Sequence, residues 1–494
     1  MTKSRRPRVA PASRRNRKAA ARSEGAPRIL ILAAGIGSRM RSTRPKVLHR
    51  VGGRTLLDAV LDAAESLSPS RVVVVLGAGR EEVRASLEGR AVRLVVQDPP
   101  RGTGDAVAQA LPELSDGEGP VLVLSGDTPL LRAETLGALV EDRRREGLDL
   151  ALLSFRPPDA GEFGRVVRDS RGRVRRIVEA RNASERERRI GEVNAGVYCF
   201  APEALARAVP KLRVDPVSKE YYLTDVVEIL AGSGGRIGAR LAEDWREAWG
   251  VNTRRDLAAA EEIEQRRRVE RALEAGATIL DPPTARLGPR VRVEADAILH
   301  PFVWLDGDTS VAEGAEVLPF THIVDSALAA GAVVGPHCEL DGAKIGPRAR
   351  VGPFARLRPG SVLEADVKVG NFVETKNTVL REGVKAQHLA YLGDADVGAR
   401  SNIGAGVITC NYDGSKKHKT TIGDGVFVGS DAQLVAPVTV GKGAYVAAGA
   451  TITEDVPEGA LALSRVPQTN VEGWVEKHRA KAGDGHGHAS DKKA

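Results

Sequence analysis

The chain has 494 residues, a formal net charge of +8, 53 glycines, three cysteines and only 4% aromatic residues. That length exceeds one ordinary domain of about 100–200 residues, and no apolar run reaches the roughly 18 residues of a membrane span, so two or three domains and no membrane partner are expected. Positive charge is concentrated in residues 1–28, where ten Lys and Arg face one acid, Glu24; that stretch carries +9 and leaves −1 for the rest, which argues against a folded body built to bind nucleic acid.

In chain order, residues 1–27 read as a disordered basic tail, too polar to bury a core. From residue 28 to about 241, short apolar runs at 29–32, 72–76, 94–96, 121–124 and 150–153 alternate with amphipathic stretches such as 56–67 and 134–145. Strands buried on both faces and spaced by helices predict a parallel sheet in an α/β layer fold, with ligands bound beyond the carboxyl ends of the strands. Residues 254–275 read as one polar helix with few apolar anchors, suited to a linker.

After residue 277 the period changes to six. Val351, Leu357, Leu363 and Val369 are six apart, as are Tyr391, Val397 and Ile403, and again Ile422, Val428, Leu434, Val440, Val446 and Ile452. A fixed hexad predicts a parallel β-helix with apolar residues stacked inward and three sides per coil of about 18 residues. The phase breaks between Val369 and Tyr391 and between Ile403 and Ile422, where chain ejected onto the surface is expected to carry function. These segments hold Lys376, Lys385, His388, Asn411, Tyr412, Lys416 and Lys417. Residues 476–494 read as a disordered polar tail. Three unpaired cysteines (Cys199, Cys338, Cys410) fit a reducing compartment and neither a disulfide framework nor a zinc site.

The first strand runs into Leu32-Ala33-Ala34-Gly35-Ile36-Gly37-Ser38-Arg39-Met40, with Pro45-Lys46 soon after. A glycine turn by itself commonly only reverses the chain. With Arg39 and Lys46 beside it, backbone N–H groups and two cations suit a triphosphate that loses pyrophosphate. No Walker-type glycine-lysine motif is present. This string, with Gln97, Gly102-Thr103-Gly104, Gly126-Asp127-Thr128-Pro129, Phe163-Gly164-Arg165, Ile177-Val178-Glu179, Asn194-Ala195-Gly196, Glu220–Asp225 and Gly250-Val251-Asn252, resembles the sugar-nucleotide pyrophosphorylases. Gly370–Lys376, His388–Asp394 and Asn402–Gly414 extend the likeness over residues 28–475 to the bifunctional N-acetylglucosamine-1-phosphate uridylyltransferase/glucosamine-1-phosphate acetyltransferase family.

The resemblance implies a Rossmann-like α/β nucleotidyltransferase domain (28–252), a linker helix (253–276) and a left-handed β-helix acetyltransferase domain of hexapeptide repeats (277–475). It implies that Leu32, Ala33, Ala34, Gly35, Gln97, Gly102 and Thr103 bind UTP, that Arg39 and Lys46 act on the phosphates, and that Asp127 and Asn252 hold Mg²⁺. Gly164, Glu179, Asn194 and Asn252 would hold N-acetylglucosamine-1-phosphate. At the other site His388 would be the general base. Arg358, Lys376, Tyr391, Asn402 and Asn411 would bind glucosamine-1-phosphate, and Asn411, Tyr412, Lys417, Ser430, Ala448 and Arg465 acetyl-CoA. A cytoplasmic homotrimer with a shared acetyl site is implied as well. Ile36, Asp105 and Ser125 depart from the pattern, where Lys, His and Tyr are common, and each removes a possible contact to nucleotide or sugar. Two other readings remain open from sequence. One is a single-activity sugar-phosphate nucleotidyltransferase with a structural or regulatory β-helix; the other is a noncatalytic scaffold that binds nucleic acid through its basic tail.

Overall fold

The computed structural model describes residues 25–35, 37–77, 80–464 and 466–483, which form two compact units, 1–267 and 268–494. In the first unit the strands are β1 (Arg28–Ala33), β2 (Arg71–Leu76), β3 (Arg93–Val96), β4 (Val121–Ser125), β5 (Leu150–Phe155), β6 (Arg165–Arg168), β7 (Val174–Val178), β8 (Val193–Phe200) and β9 (Ile237–Leu241). Their order is β9-β5-β8-β4-β1-β2-β3, with β6 pairing β8 and β7. Ile29, Leu30, Ile31, Val73, Val74 and Leu122 are fully buried, because helices cover both faces of these central strands. Burying each such side chain contributes about 1.5–3 kcal/mol.

The five predicted runs are strands, and the two amphipathic stretches are helices α1 (Leu56–Glu65) and α3 (Ala133–Glu146), with α2 (Thr103–Leu114) between them in sequence. The sheet is not wholly parallel, which corrects the expectation: β8 runs antiparallel to both β4 and β5. Its run Val193–Phe200 is apolar enough to be buried on both faces, and that composition carries no information on direction.

A polar helix does follow, α5 (Arg254–Glu274), but it is no free-standing linker. The unit boundary falls inside it. Ala260 packs with Met40, Leu56 and Leu130 of the first unit, while Val269 and Ala272 join the core of the second. Few apolar anchors suffice because Arg267 donates to the Leu130 carbonyl (2.9 Å) and Arg268 to the Leu287 carbonyl (2.9 Å).

The second unit is a three-sided parallel β-helix. Its sides are parallel sheets of eleven, ten and nine short strands, called here sides I, II and III. The register gives mostly coils of 17 or 18 residues, as in Leu380↔Val397 and Val351↔Val369, with 20 at the first coil and 16 at the last. The first supposed phase break is not an ejected loop. Thr375, Leu380, Ala386 and Leu392 continue the inward file, each wholly buried. Thr375 escaped notice as a core residue because its hydroxyl is polar; inside, it pairs with the Ser361 hydroxyl (2.8 Å). Tyr391 points outward, and its neighbour Leu392 takes the inward position that the hexad reading gave to Tyr391. The second break is real: Val397 pairs with Ile422, a coil of 25 residues, and the surplus leaves the surface between Cys410 and Thr420.

Both tail boundaries move. Residues 25–27 are tied down, the Gly25 carbonyl by Arg144 (2.8 Å) and the Pro27 carbonyl by the Ser70 N–H (2.9 Å). Residues 474–483 form helix α6 (Trp474–Gly483), where Trp474 stacks on His478 one turn on (4.2 Å). Residues 1–24 and 484–494, on which the rest of the two disordered-tail expectations falls, lie outside the described residues.

Candidate active sites

In the first unit, strand ends place the functional groups. The turn after β1 lies so close to the one after β2 that a Cβ on Gly77 would stand 2.4 Å from the Ala34 carbonyl. Beyond the turn, Gly37 has φ 69°, and a Cβ there would stand 2.6 Å from that of Lys46; only glycine gives both the left-handed backbone and the room for Lys46 to pass. A cavity of about 480 Å³ opens at these strand ends. Leu32, Ala33, Ala34, Gly35, Arg39, Lys46, Gln97, Gly102, Thr103, Asp127 and Asn252 all line it, joined by Ser125, Glu220 and Tyr222.

At its floor Lys46 Nζ donates to Asp127 Oδ2 and to Asn252 Oδ1 (3.0 Å), and Arg39 donates to the same Asn252 oxygen (3.1 Å). Ser125 Oγ donates to the other Asp127 oxygen (2.8 Å), so this departure from the family pattern supplies a partner rather than a gap. Asn252 is held from behind. Asp256 Oδ2 accepts from the N–H groups of Asn252 (3.0 Å) and Thr253 (2.8 Å), while Thr253 Oγ1 accepts from the Asp256 N–H (3.1 Å), a reciprocal cap that starts α5. Arg254 then ties α5 to the Met40 carbonyl (3.3 Å) and to His49 Nδ1 (3.2 Å), which fixes the turns carrying Arg39 and Lys46. Sequence reading gave Arg254 and His49 no role, and a single arginine among so many offers no signal.

Asp127 and Asn252 aim two oxygens at one point, where the Lys46 ammonium now sits. Two hard oxygen donors open to solvent suit a divalent cation whose remaining ligands are phosphate oxygens and water. Among the described residues no cluster of three His, Cys, Asp or Glu could hold a metal by itself.

Gly164, Glu179 and Asn194 form a second group outside the walls of that cavity. The Gly164 carbonyl accepts from the Asn194 N–H (2.8 Å), and Glu179 Oε1 lies 3.8 Å from where a Gly164 Cβ would stand. Thr224 donates to Glu179 (2.9 Å), and Asn194 donates to the Tyr198 hydroxyl (2.7 Å). Burial raises the Glu179 carboxyl despite the Thr224 bond. Asp225, at the start of helix α4 (Asp225–Gly232), is pushed up to about 6 by burial and by the charges of Glu179, Glu228 and Asp215. Sequence reading missed Asp225 as a perturbed acid, since its neighbours come from distant segments.

In the second unit, His388 ends a side I strand (Lys385–His388) opposite Asn371 of the preceding coil. The ring is exposed, and Nδ1 lies 3.2 Å from Asn371 Oδ1. In the neutral ring, a hydrogen on Nδ1 donated to that amide oxygen leaves the lone pair on Nε2. The register carries this corner from His388 through Ala405 and Ser430 to Ala448, one residue per coil. Beside it, at the positive-φ position, stacked rings Phe302, Phe320, His337, Phe354 and Phe372 give way to Leu389 and then Gly406. Bulk thus stops at the histidine, and small residues leave a strip along the following coils.

Side II carries the cations. Arg358 and Lys376 stand one coil apart, with Tyr391 on the next strand. Arg358 pairs with Glu374 (2.9 Å). Lys376 contacts Lys417 of the ejected loop, and this neighbour, then Arg358, lowers the Lys376 ammonium below its ordinary value. Two close ammonium groups want an anion between them. Asn411, buried, donates to Asp394 Oδ2 (2.5 Å), and Tyr412, exposed, donates to the Gly414 carbonyl (2.7 Å). Asn402 does not join this group: it lies on a side I strand between Lys385 and Phe427. Arg465 and Ile36 lie outside the described residues. Burial raises the Cys410 thiol, which fits a structural cysteine rather than a nucleophile.

Known proteins match this division. A family model for the MobA-like NTP transferase domain matches residues 29–217, and one for the bacterial transferase hexapeptide (six repeats) matches residues 419–454. The described β-helix and these repeats are those of a left-handed hexapeptide-repeat fold. The Bifunctional protein GlmU of Thermodesulfovibrio yellowstonii is 43% identical over 451 residues, covering 91% of this chain and 99% of that protein. Those of Streptomyces avermitilis and Sorangium cellulosum are 48% and 46% identical over 455 and 462 residues, covering 91% and 92% of this chain and 94% and 97% of theirs. With both halves matched end to end, the chain belongs to the bifunctional GlmU family of transferases, a nucleotidyltransferase joined to a hexapeptide-repeat transferase.

Proposed function

We propose that this chain acetylates glucosamine-1-phosphate at the β-helix site and then joins the product, N-acetylglucosamine-1-phosphate, to UMP from UTP at the α/β site. UDP-N-acetylglucosamine for peptidoglycan, lipopolysaccharide and lipid A synthesis is the outcome. The observation that carries this reading is the coexistence of two separate sets of reactive groups in one chain. One is a cavity floored by Lys46, Asp127, Asn252 and Arg39; the other is an exposed imidazole oriented by Asn371 together with the Lys376–Lys417 pair on the β-helix.

At the acetyl site, His388 Nε2 takes a proton from the sugar nitrogen as that nitrogen attacks the thioester carbonyl. The C–N bond forms, the C–S bond breaks and CoA leaves as the thiol. Arg358, Lys376 and Lys417 hold the sugar phosphate and CoA phosphates, with Tyr391, Asn411, Tyr412, Ser430, Ala448 and Arg465 completing the ligand set. A homotrimer with an acetyl site shared between subunits, to which Asn402 also contributes, completes this reading.

At the uridylyl site, a phosphate oxygen of the sugar phosphate attacks the α-phosphorus of UTP and pyrophosphate leaves. No covalent intermediate is needed, so positioning and charge do the work. Arg39 and Lys46 neutralise the departing oxygens, while Gly164, Glu179 and Asn194 orient the sugar. Asp127 and Asn252 would hold Mg²⁺, which when bound would supply positive charge to the triphosphate. No described helix is long and apolar enough to cross a membrane, and a cytoplasmic location suits all four substrates.

Assays of the purified full chain test the reading. CoA release should require glucosamine-1-phosphate, and pyrophosphate release should require UTP, N-acetylglucosamine-1-phosphate and Mg²⁺, with chelation abolishing only the second. Pyrophosphate release without any CoA release would leave a single-activity nucleotidyltransferase.

A further inference from the structure

Asp105, expected from sequence to remove a contact, has a partner in the structure. Gln97 is almost wholly buried (3% exposed) in the wall of the nucleotide cavity. Its Nε2 donates to Asp105 Oδ2 (2.7 Å) and to the Gly102 carbonyl (3.0 Å). Both partners are acceptors only, so the amide cannot turn over without setting its oxygen against a carboxylate and a carbonyl. Gln97 Oε1, by contrast, accepts no hydrogen bond from the described residues. The amide therefore presents an acceptor to whatever enters the cavity.

We propose that Asp105 is a positioning residue that locks the Gln97 amide with its oxygen toward the nucleobase, making the site selective for a base with an imide N–H. Uracil and thymine carry hydrogen on N3, whereas cytosine offers a lone pair there, which would meet the Gln97 oxygen lone pair to lone pair. This inference rests on reading the first unit as a nucleotide site and adds what enforces its base choice. Rejection comes from the polarity of a held amide, since the pyrimidines match in size.

The test compares UTP with CTP in pyrophosphate release by the full chain, as the ratio of kcat/KM values. The wild-type chain should favour UTP strongly. Asp105→Ala should lower that ratio at least about tenfold, through the KM for UTP, while kcat at saturating UTP stays within about threefold. Asp105→Asn keeps a carbonyl oxygen for Gln97 Nε2 and should hold the ratio within about threefold of wild type. Should Asp105→Ala fail to fold, Asp105→Ser, too short to reach Gln97, replaces it with the same expected loss. A role confined to the first turn of α2 would weaken both nucleotides equally, and that result overturns the assignment. Gln97→Ala separates the two layers. If it leaves the ratio unchanged, the base-reading premise fails and the proposal with it. If it lowers the ratio while Asp105→Ala does not, the premise stands and Asp105 is ruled out.

Discussion

The two units solve the problem of gathering reactive groups in opposite ways. In the α/β unit, Lys46 and Asn252 meet across more than two hundred residues because strand ends and the α5 cap converge, and Arg39, Lys46, Ser125, Asp127 and Asn252 each have a side-chain partner at the floor. In the β-helix, residues 17 to 25 apart in sequence meet because successive coils repeat one another, and His388 is exposed with a single orienting neighbour. The first arrangement is a closed network in which each member depends on the others. The second is a file in which one residue can be changed without disturbing the next.

The sharpest way to break this contrast is His388→Ala. Acetyl transfer should fall about 10²–10⁴-fold with uridylyl transfer and melting temperature unchanged, because the ring is exposed. Parallel CoA and pyrophosphate assays check it, and an equal fall in both would unite the sites. Asp127→Ala should lower uridylyl transfer about 10²–10³-fold and leave acetyl transfer intact. Here the loss spreads through the network, since Lys46 loses one of its two acceptors and Ser125 loses its acceptor, and Asp127→Asn should recover only part of it.

Gly37→Ala probes the same network from its backbone. The left-handed conformation costs an alanine about 1–2 kcal/mol, and the new Cβ must also displace Lys46. Thermal unfolding should show that loss, and uridylyl transfer should drop by more than stability alone explains. The smallest effect concerns Asp225. Its folded value of about 6 lies above the ordinary aspartate value of 3.8, so the proton binds the folded state more tightly. That contribution to stability is complete below about pH 4 and lost as pH rises through 6. Asp225→Asn should therefore melt above wild type at pH 8, and the gap should close below pH 4; a gap independent of pH would rule the titration out.

Most of the architecture was readable from the chain because period and chemistry agreed: five apolar runs became strands, and the hexads became coils. What misled were groups whose environment reverses their usual meaning. Thr375 looked like a gap in the apolar file, yet a buried hydroxyl satisfied by Ser361 fills an inward position as well as valine does. Tyr391 looked inward because the count of six back from Val397 fell on it, while the side from Leu392 to Val397 is five residues long and shifts the phase. The direction of β8 lay beyond any pattern, since antiparallel and parallel strands buried on both faces read alike. The floor residues Arg39, Lys46, Asp127 and Asn252 were legible through resemblance, and the structure brings them together. Their supports, Arg254, His49 and Asn371, were not, because they act through contacts between distant segments.

The segment between Cys410 and Thr420 lengthens one coil to 25 residues, yet Ile422 still stacks on Val397 and the following coil returns to 18. Such a fold is a ladder whose rungs can be padded individually, with no penalty transmitted to those above or below. Catalytic specificity in this half can therefore diversify by grafting: a new acceptor or acyl carrier calls for one rewritten excursion, whereas altering the sheet-borne cleft means retuning several crossings at once.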